Sequence, residues 1–193
     1  MKTLRQRKQI RLQGYDYSQE GRYFITICTK NREFLFGEIM NRTMFYNETG
    51  KIAENELLNI SSHYENVDIE RFVIMPNHVH MIVVIKKRVD SAERINPFPT
   101  RKADIPNIIG KYKAGVTRAV GNAFMRSGVR SENCRTHSVI VIWQSRYHDH
   151  IIRGKKSYQK IYEYVGNNPA QWEADMHNPA NPRYNDWNEE SCK

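Results

Sequence analysis

The chain has 193 residues, 39% of them hydrophobic and 11% aromatic, and a formal charge of +9. That content suits one folded core and excludes a disordered or fibrous chain, and no apolar run approaches the roughly 20 residues a membrane helix needs. The start, MKTLRQRKQIRLQG, is basic without the apolar segment of a secretory signal, and Cys28, Cys134 and Cys192 are too scattered for a disulfide framework or zinc site, so a cytoplasmic protein with reduced thiols is expected.

In chain order, GRYFITICTKN alternates apolar and polar positions and predicts a strand over residues 23–29. EFLFGEIMNRTMFYN predicts a second short strand or ribbon, interrupted at Gly37. NETGKIAENELLNISSHYENV sets Ile52, Leu57, Ile60 and Tyr64 near helical spacing, with Asn47 or Thr49 as the cap. VDIERFVIMPNHVHMIVVI predicts two strands joined at Met75-Pro76-Asn77, because Pro and Asn form turns. Residues 86–104 are polar and carry Pro97 and Pro99, a surface loop. IPNIIGKYKAGVTRAVGNAFMRSG predicts a helix with an apolar stripe of Ile109, Tyr112, Val116, Val120 and Phe124; SVIVIW reads as a strand, and SYQKIYEYVGNN as a helix ended by Asn168-Pro169. Without an internal repeat, the chain reads as one domain over 1–193, with a basic arm at 1–13 and an acidic tail at 173–193. Hairpin-joined strands with helices packed to one side indicate an α+β fold around a central, mainly antiparallel sheet flanked by α-helices.

Within FVIMPNHVHMIVVI, His78 and His80 are two apart on a strand, so both imidazoles project from one face and Val79 from the other. That arrangement suits gripping one ion; two hydrogen-bonded histidines at a strand end are the plainer alternative. Two imidazoles do not fill a coordination sphere, so an ion needs a further ligand. His148 and His150 in RYHDHIIR form a second pair, either ligands or a polar patch. In the last helix Tyr164 and Asn168 are four apart and share a face, which Ile161 and Val165 would ordinarily make a core face. Over the imidazoles, that face would bring an amide oxygen and a phenol to the ion.

Charge adds a partner. Residues 101–156 carry 12 Lys/Arg against 3 Asp/Glu, while the tail from Trp172 is acidic. A concentrated basic zone is the footprint of a protein that meets a polyanion, nucleic acid first among them. Arg118, Arg126, Arg146, Arg153, Lys155 and Lys156 are candidates for phosphate contacts, and Trp143, Tyr147 and His148 for stacking on an unpaired base.

MPNHVHMIV, followed beyond a basic helix by IWQSRYHDHIIR and then YVGNNP, resembles the single-tyrosine HUH (His-hydrophobic-His) transposases, and among them the REP-associated tyrosine transposases. The opening GYDYSQEGRYFITICTKNREFLFGEI is similar to the start of that family, so the likeness spans residues 11–172. It implies a ferredoxin- or RRM-like HUH palm that cleaves and rejoins single-stranded DNA through a 5′-phosphotyrosine. By the same resemblance His78 and His80 are metal ligands, Asn168 is the third, Tyr164 is the nucleophile and the ion is Mg²⁺ or Mn²⁺. Its implied partner is single-stranded or hairpin DNA, without a membrane, in a nucleoid-associated monomer or homodimer. Asn168 stands where insertion-sequence relatives usually carry glutamine, and Val165 where isoleucine is commoner. Gly166 departs more, since glycine loosens a helix by about 1 kcal/mol. No residue of the motif is an evident general base. A domesticated, non-catalytic repeat-binding protein and a phosphoesterase acting through water are the competing expectations.

Overall fold

The computed structural model describes residues 12–87, 103–126, 141–182 and 184. Most of the predicted loop, most of the basic arm, Cys134, Cys192 and the end of the tail lie outside them. The elements are β1 (Gly21–Cys28), β2 (Gly37–Met40), β3 (Thr43–Tyr46), α1 (Glu48–Leu58), the single turn α2 (Ile60–His63), β4 (Val67–Met75), β5 (His78–Ile85), α3 (Ile105–Arg126), β6 (His148–Ile152) and α4 (Lys155–Asn167). Four strands form one antiparallel sheet in the order β4-β5-β1-β6, and β2 and β3 pair as a separate ribbon. The expected α+β fold around an antiparallel sheet is therefore the observed one.

Strand alternation decides what each face of the sheet does. Tyr23, Ile25 and Ile27 of β1, with Val79, Met81, Val83 and Ile85 of β5, belong to the main core, packed with Ala53 and Leu57 of α1 and Ile105, Ile108, Ile109, Tyr112, Val116 and Val120 of α3. Each such side chain withdrawn from water contributes about 1.5–3 kcal/mol before the entropy cost of ordering it. The intervening residues face the other way. Phe24, Val73 and Met75 pack there with Ile161 and Val165 of α4 and with Trp172. Helices thus cover both faces rather than one: the face bearing His78 and His80 cannot join the apolar core, and α4 covers it.

Local chemistry sets the boundaries. Asn47 caps α1, its side chain accepting from the Gly50 N–H at 2.9 Å, which decides between the two predicted caps. Gly37 begins β2 at φ 136, where a side chain would strike the Phe45 carbonyl. The α3 stripe ends at Val120, and Phe124 is exposed. The predicted strand SVIVIW is not one in its described part: only Trp143 makes a bridge, to Thr29. The edge strand is β6 instead, pairing with β1 so that His148 lies opposite Thr26 and His150 opposite Phe24. Among the described residues no helix is long and apolar enough to cross a membrane.

Candidate metal centre and tyrosine site

Cross-strand register builds the site's floor. Val73, His80, Thr26 and His148 form one row across β4, β5, β1 and β6, and His78 pairs with Met75 and Cys28 one step along. Both imidazoles are buried, His78 completely, and their ring centroids are 4.5 Å apart. Phe24 stacks on His80 at 5.2 Å, and Trp172 on His78 at 6.1 Å.

Hydrogen bonds fix which nitrogen of His78 faces the interior. Asn77 donates both amide hydrogens to carbonyls, of His177 at 2.8 Å and Arg32 at 3.3 Å, so its Oδ1 must be the atom 2.9 Å from His78 Nδ1. An amide oxygen only accepts, so His78 Nδ1 carries the proton and Nε2 keeps its lone pair. That Nε2 is buried without a hydrogen-bond partner. A buried polar atom left unpaired costs about 1–3 kcal/mol, a cost that a bound cation would remove. His80 Nδ1 lies 2.9 Å from Thr26 Oγ1, leaving Nε2 on the inner side.

The helix α4 delivers the other two predicted groups. Ile161 and Val165 seat it on Val73 and Met75, which turns Tyr164 and Asn168 toward the imidazoles. The Tyr164 hydroxyl is 3.2 Å from His80 Nε2, within one chain. Asn168 follows the last turn of α4, and Pro169, which has no N–H, opens the next turn. Its Nδ2 donates to Asp175 Oδ2 at 3.0 Å, and its Oδ1 is buried without a partner. The structure thus brings His78, His80, Tyr164 and Asn168 together. Tyr158 and Tyr162 lie elsewhere on α4, tilted against each other at 5.6 Å and engaged with Arg22 and Arg71.

Gly166 also acquires a reason. The Arg71 guanidinium, 4.1 Å over the Tyr162 ring, occupies the space a Cβ at 166 would need. Gly166→Ala should therefore push the Arg71 guanidinium, the far end of a flexible side chain, off the Tyr162 ring, and since alanine is the better helix former by about 1 kcal/mol the unfolding temperature should not fall. Thermal melts of Gly166→Ala, Arg71→Ala and the double variant measure the coupling directly.

Four residues at the site escaped the sequence reading: Arg32, Asn77, Asp175 and His177. The tail carries two of them, in ADMHN, where Asp175-x-His177 was a signal without a periodic context. His78, His80 and His177 offer ligand atoms within 4.8 Å of one another, close enough to share one ion. Asp175 Oδ2 lies 4.0 Å from His78 Nε2. Of the predicted DNA contacts, Arg118, Arg126, Arg146, Arg153, Lys155 and Lys156 are exposed, and His148 is partly so. Trp143 and Tyr147 instead belong to the main core; the Trp143 indole packs on Phe36 and Tyr112 and donates to the Lys113 carbonyl, which corrects the expectation that they stack on bases.

Burial keeps the imidazoles of the site neutral. Burial lowers the His78 imidazole far below its usual value, His80 to about 3 and His177 to about 2. Burial, and then the Asp175 charge, raise the Tyr164 phenol; burial also raises the Asp175 carboxyl. The unfolded chain takes up protons on these histidines below pH 6.5 while the folded one does not. The metal-free protein should therefore lose stability as pH falls from about 6.5 toward 3, with a limiting slope of about 1.4 kcal/mol per pH unit for each such histidine. Urea midpoints at pH 7.5, 6 and 5 measure it; a constant midpoint would contradict the buried neutral state.

No protein-family model matches the sequence. An uncharacterized protein of Haemophilus influenzae is 40% identical over 172 residues, covering 88% of this chain and 92% of that one. The chain belongs to the family of that protein. The chain shares a fold with a solved REP-associated tyrosine transposase bound to a REP hairpin, at a TM-score of 0.55 and 18% identity over 84% of this chain and 73% of that one. Its architecture, a four-stranded antiparallel sheet flanked by helices, is consistent with the HUH transposase fold.

Proposed function

We propose that this chain is a metal-dependent tyrosine transposase that cleaves and rejoins single-stranded DNA, at hairpins of palindromic repeats in the nucleoid, through a 5′-phosphotyrosine. One observation carries the reading: a phenol from α4 stands 3.2 Å from the inner nitrogen of a buried imidazole pair on β5. The donor set suits a divalent cation. His78 Nε2 and Asn168 Oδ1 are buried and without partners, and with His80 Nε2 they would hold Mg²⁺ or Mn²⁺, the mixed nitrogen and oxygen set such ions accept alongside water and phosphate. Such a cation supplies Lewis-acid stabilisation of the charge that builds on phosphate oxygens.

The chain's own residues do the rest. Tyr164 Oη forms a bond to phosphorus as the P–O3′ bond breaks; the 3′ oxygen leaves as a hydroxyl, and the 5′ end stays on the tyrosine, ready for attack by another 3′-hydroxyl. Phe24, stacked on His80 and edge-on to Tyr164 at 6.1 Å, holds ring and imidazole in register. A phenol with its ordinary pKa is ionised in only about one part in a thousand at neutral pH, and burial raises this one further, so the proton must leave as the bond forms. Since the hydroxyl meets the imidazoles of its own chain, a monomer suffices.

The test is incubation with hairpin-bearing single strands and Mg²⁺ or Mn²⁺, followed by denaturing electrophoresis. A protein-linked 5′ fragment is the expected product. Cleaved DNA migrating free of protein would instead indicate hydrolysis, and binding without cleavage a domesticated repeat-binding protein.

A further inference from the structure

We propose that Arg32 and His177 form the phosphate-binding half of this site, gripping the scissile phosphodiester beside the cation instead of helping to ligate the cation. The inference deepens the phosphotyrosine reading and rests on it.

Arg32 is 4% exposed, and the chain goes out of its way to bury it. The turn Lys30–Arg32 that follows β1 holds Asn31 at φ 53 and Arg32 at φ 55, two consecutive residues with side chains in the left-handed region. That conformation is unfavourable outside glycine and persists where surrounding structure enforces it. One contact that holds it is Asn77, whose amide donates to the Arg32 carbonyl at 3.3 Å while its oxygen accepts from His78 Nδ1. One asparagine therefore couples the placement of the guanidinium to the placement of the first imidazole.

The guanidinium donates to His177 Nδ1, and its plane lies over the Tyr184 ring at 5.8 Å. A guanidinium has no lone pair to offer, so His177 Nδ1 must be the acceptor. Neutral His177 then carries its proton on Nε2. That is the reverse of His78, whose Nδ1 holds the proton and whose Nε2 lone pair faces inward. Two imidazoles separated by 4.4 Å between centroids are thus prepared for different partners: His78 for a cation, His177 as an N–H donor backed by a fixed positive charge. His177 shares the cluster by distance but has its lone pair taken by an obligate donor.

Charge supports the division. The Arg32 guanidinium donates to His177, whose ring stands 4.4 Å from that of His78, so its charge lies beside the imidazole pair. The Asp175 carboxylate offsets one of the positive charges that a divalent cation and this guanidinium would bring together, and a further anion would offset another. A phosphodiester is singly negative, and its two non-bridging oxygens accept from donors such as a guanidinium and an imidazole N–H. Asp175 Oδ1 accepts from the His177 backbone N–H at 2.6 Å, which holds His177 on its tail segment.

The test uses the full chain and two probes, Mn²⁺ affinity from the resonance of unbound Mn²⁺ and inorganic phosphate binding to the Mg²⁺-saturated protein by calorimetry. Arg32→Gln and His177→Phe should each weaken phosphate binding about tenfold or more, the loss of a charge-assisted hydrogen bond. Both should keep Mn²⁺ affinity within about threefold of the parent, or raise it, whereas His78→Ala should lower it about tenfold or more. Arg32→Lys keeps the charge and replaces Arg32→Gln if that variant does not fold; it too should bind phosphate more weakly at unchanged Mn²⁺ affinity. A loss of Mn²⁺ affinity in His177→Phe as large as in His78→Ala makes His177 a metal ligand and overturns the proposal. So does undiminished phosphate affinity in the Arg32 and His177 variants. Failure of the broader reading looks different: His78→Ala would leave Mn²⁺ affinity intact.

Discussion

Tyr164→Phe should abolish covalent capture of single-stranded DNA and leave DNA binding within about twofold of the parent. The substitution removes one oxygen and keeps the ring that contacts Phe24 and His80. Tyr164 is 39% exposed, so no packed cavity opens and the fold should hold. What disappears is the sole atom on α4 within hydrogen-bond reach of the imidazole pair among the described tyrosines. Tyr158 and Tyr162 cannot substitute without α4 turning: their rings are committed to Arg22 and Arg71 on its other side, and the Arg71 guanidinium is wedged against Gly166. Denaturing electrophoresis of labelled oligonucleotide measures the adduct, and a filter-binding titration measures affinity. An adduct of undiminished yield in the Phe variant would move the nucleophile to another tyrosine and break the link between geometry and chemistry proposed above.

How far the sequence anticipated this site follows from where periodicity operates. The two-residue period of β5 placed His78 and His80 on one face, and the i,i+4 relation placed Tyr164 and Asn168 together, because both are local rules independent of the rest of the chain. What covers that face is not local. Helices were expected on one side, and the sheet is instead covered on both, since the imidazole face needs α4 to shield it. β6 went unseen because HDHII alternates histidine and aspartate with little apolar content, while SVIVIW has the composition of a strand but in its described residues makes a single bridge, from Trp143 to Thr29 just past β1. Trp143 and Tyr147 illustrate the ambiguity of aromatic residues next to cations: the same composition serves a stacking surface or a core, and burial decides. Asp175 and His177 are held by side-chain and turn hydrogen bonds rather than by a helix or strand, so no repeat in the sequence announces them.

Asp175→Asn, nearly isosteric, should nevertheless lower divalent-cation affinity about 10–100-fold, the usual cost of disturbing a group that orients a ligand. The carboxylate accepts twice, from Asn168 Nδ2 at Oδ2 and from the His177 N–H at Oδ1. A carboxamide has a single oxygen. If that oxygen stays with the His177 N–H, the shorter contact, the new amide nitrogen faces Asn168 and demands an acceptor. Asn168 meets the demand by turning its own amide over, which withdraws Oδ1 from the cation site and presents N–H there instead. The effect exceeds loss of one negative charge, and a comparison exposes it: Asp175→Ala removes the same charge but leaves the Asn168 amide free to turn its oxygen either way. The milder-looking Asn variant should thus bind Mn²⁺ no better than the Ala variant, with thermal melts at neutral pH verifying that both remain folded. Parent-like Mn²⁺ affinity in Asp175→Asn would mean that the Asn168 oxygen does not meet the ion, and would leave the imidazoles to hold it without the carboxamide on which the tyrosine helix was argued to converge.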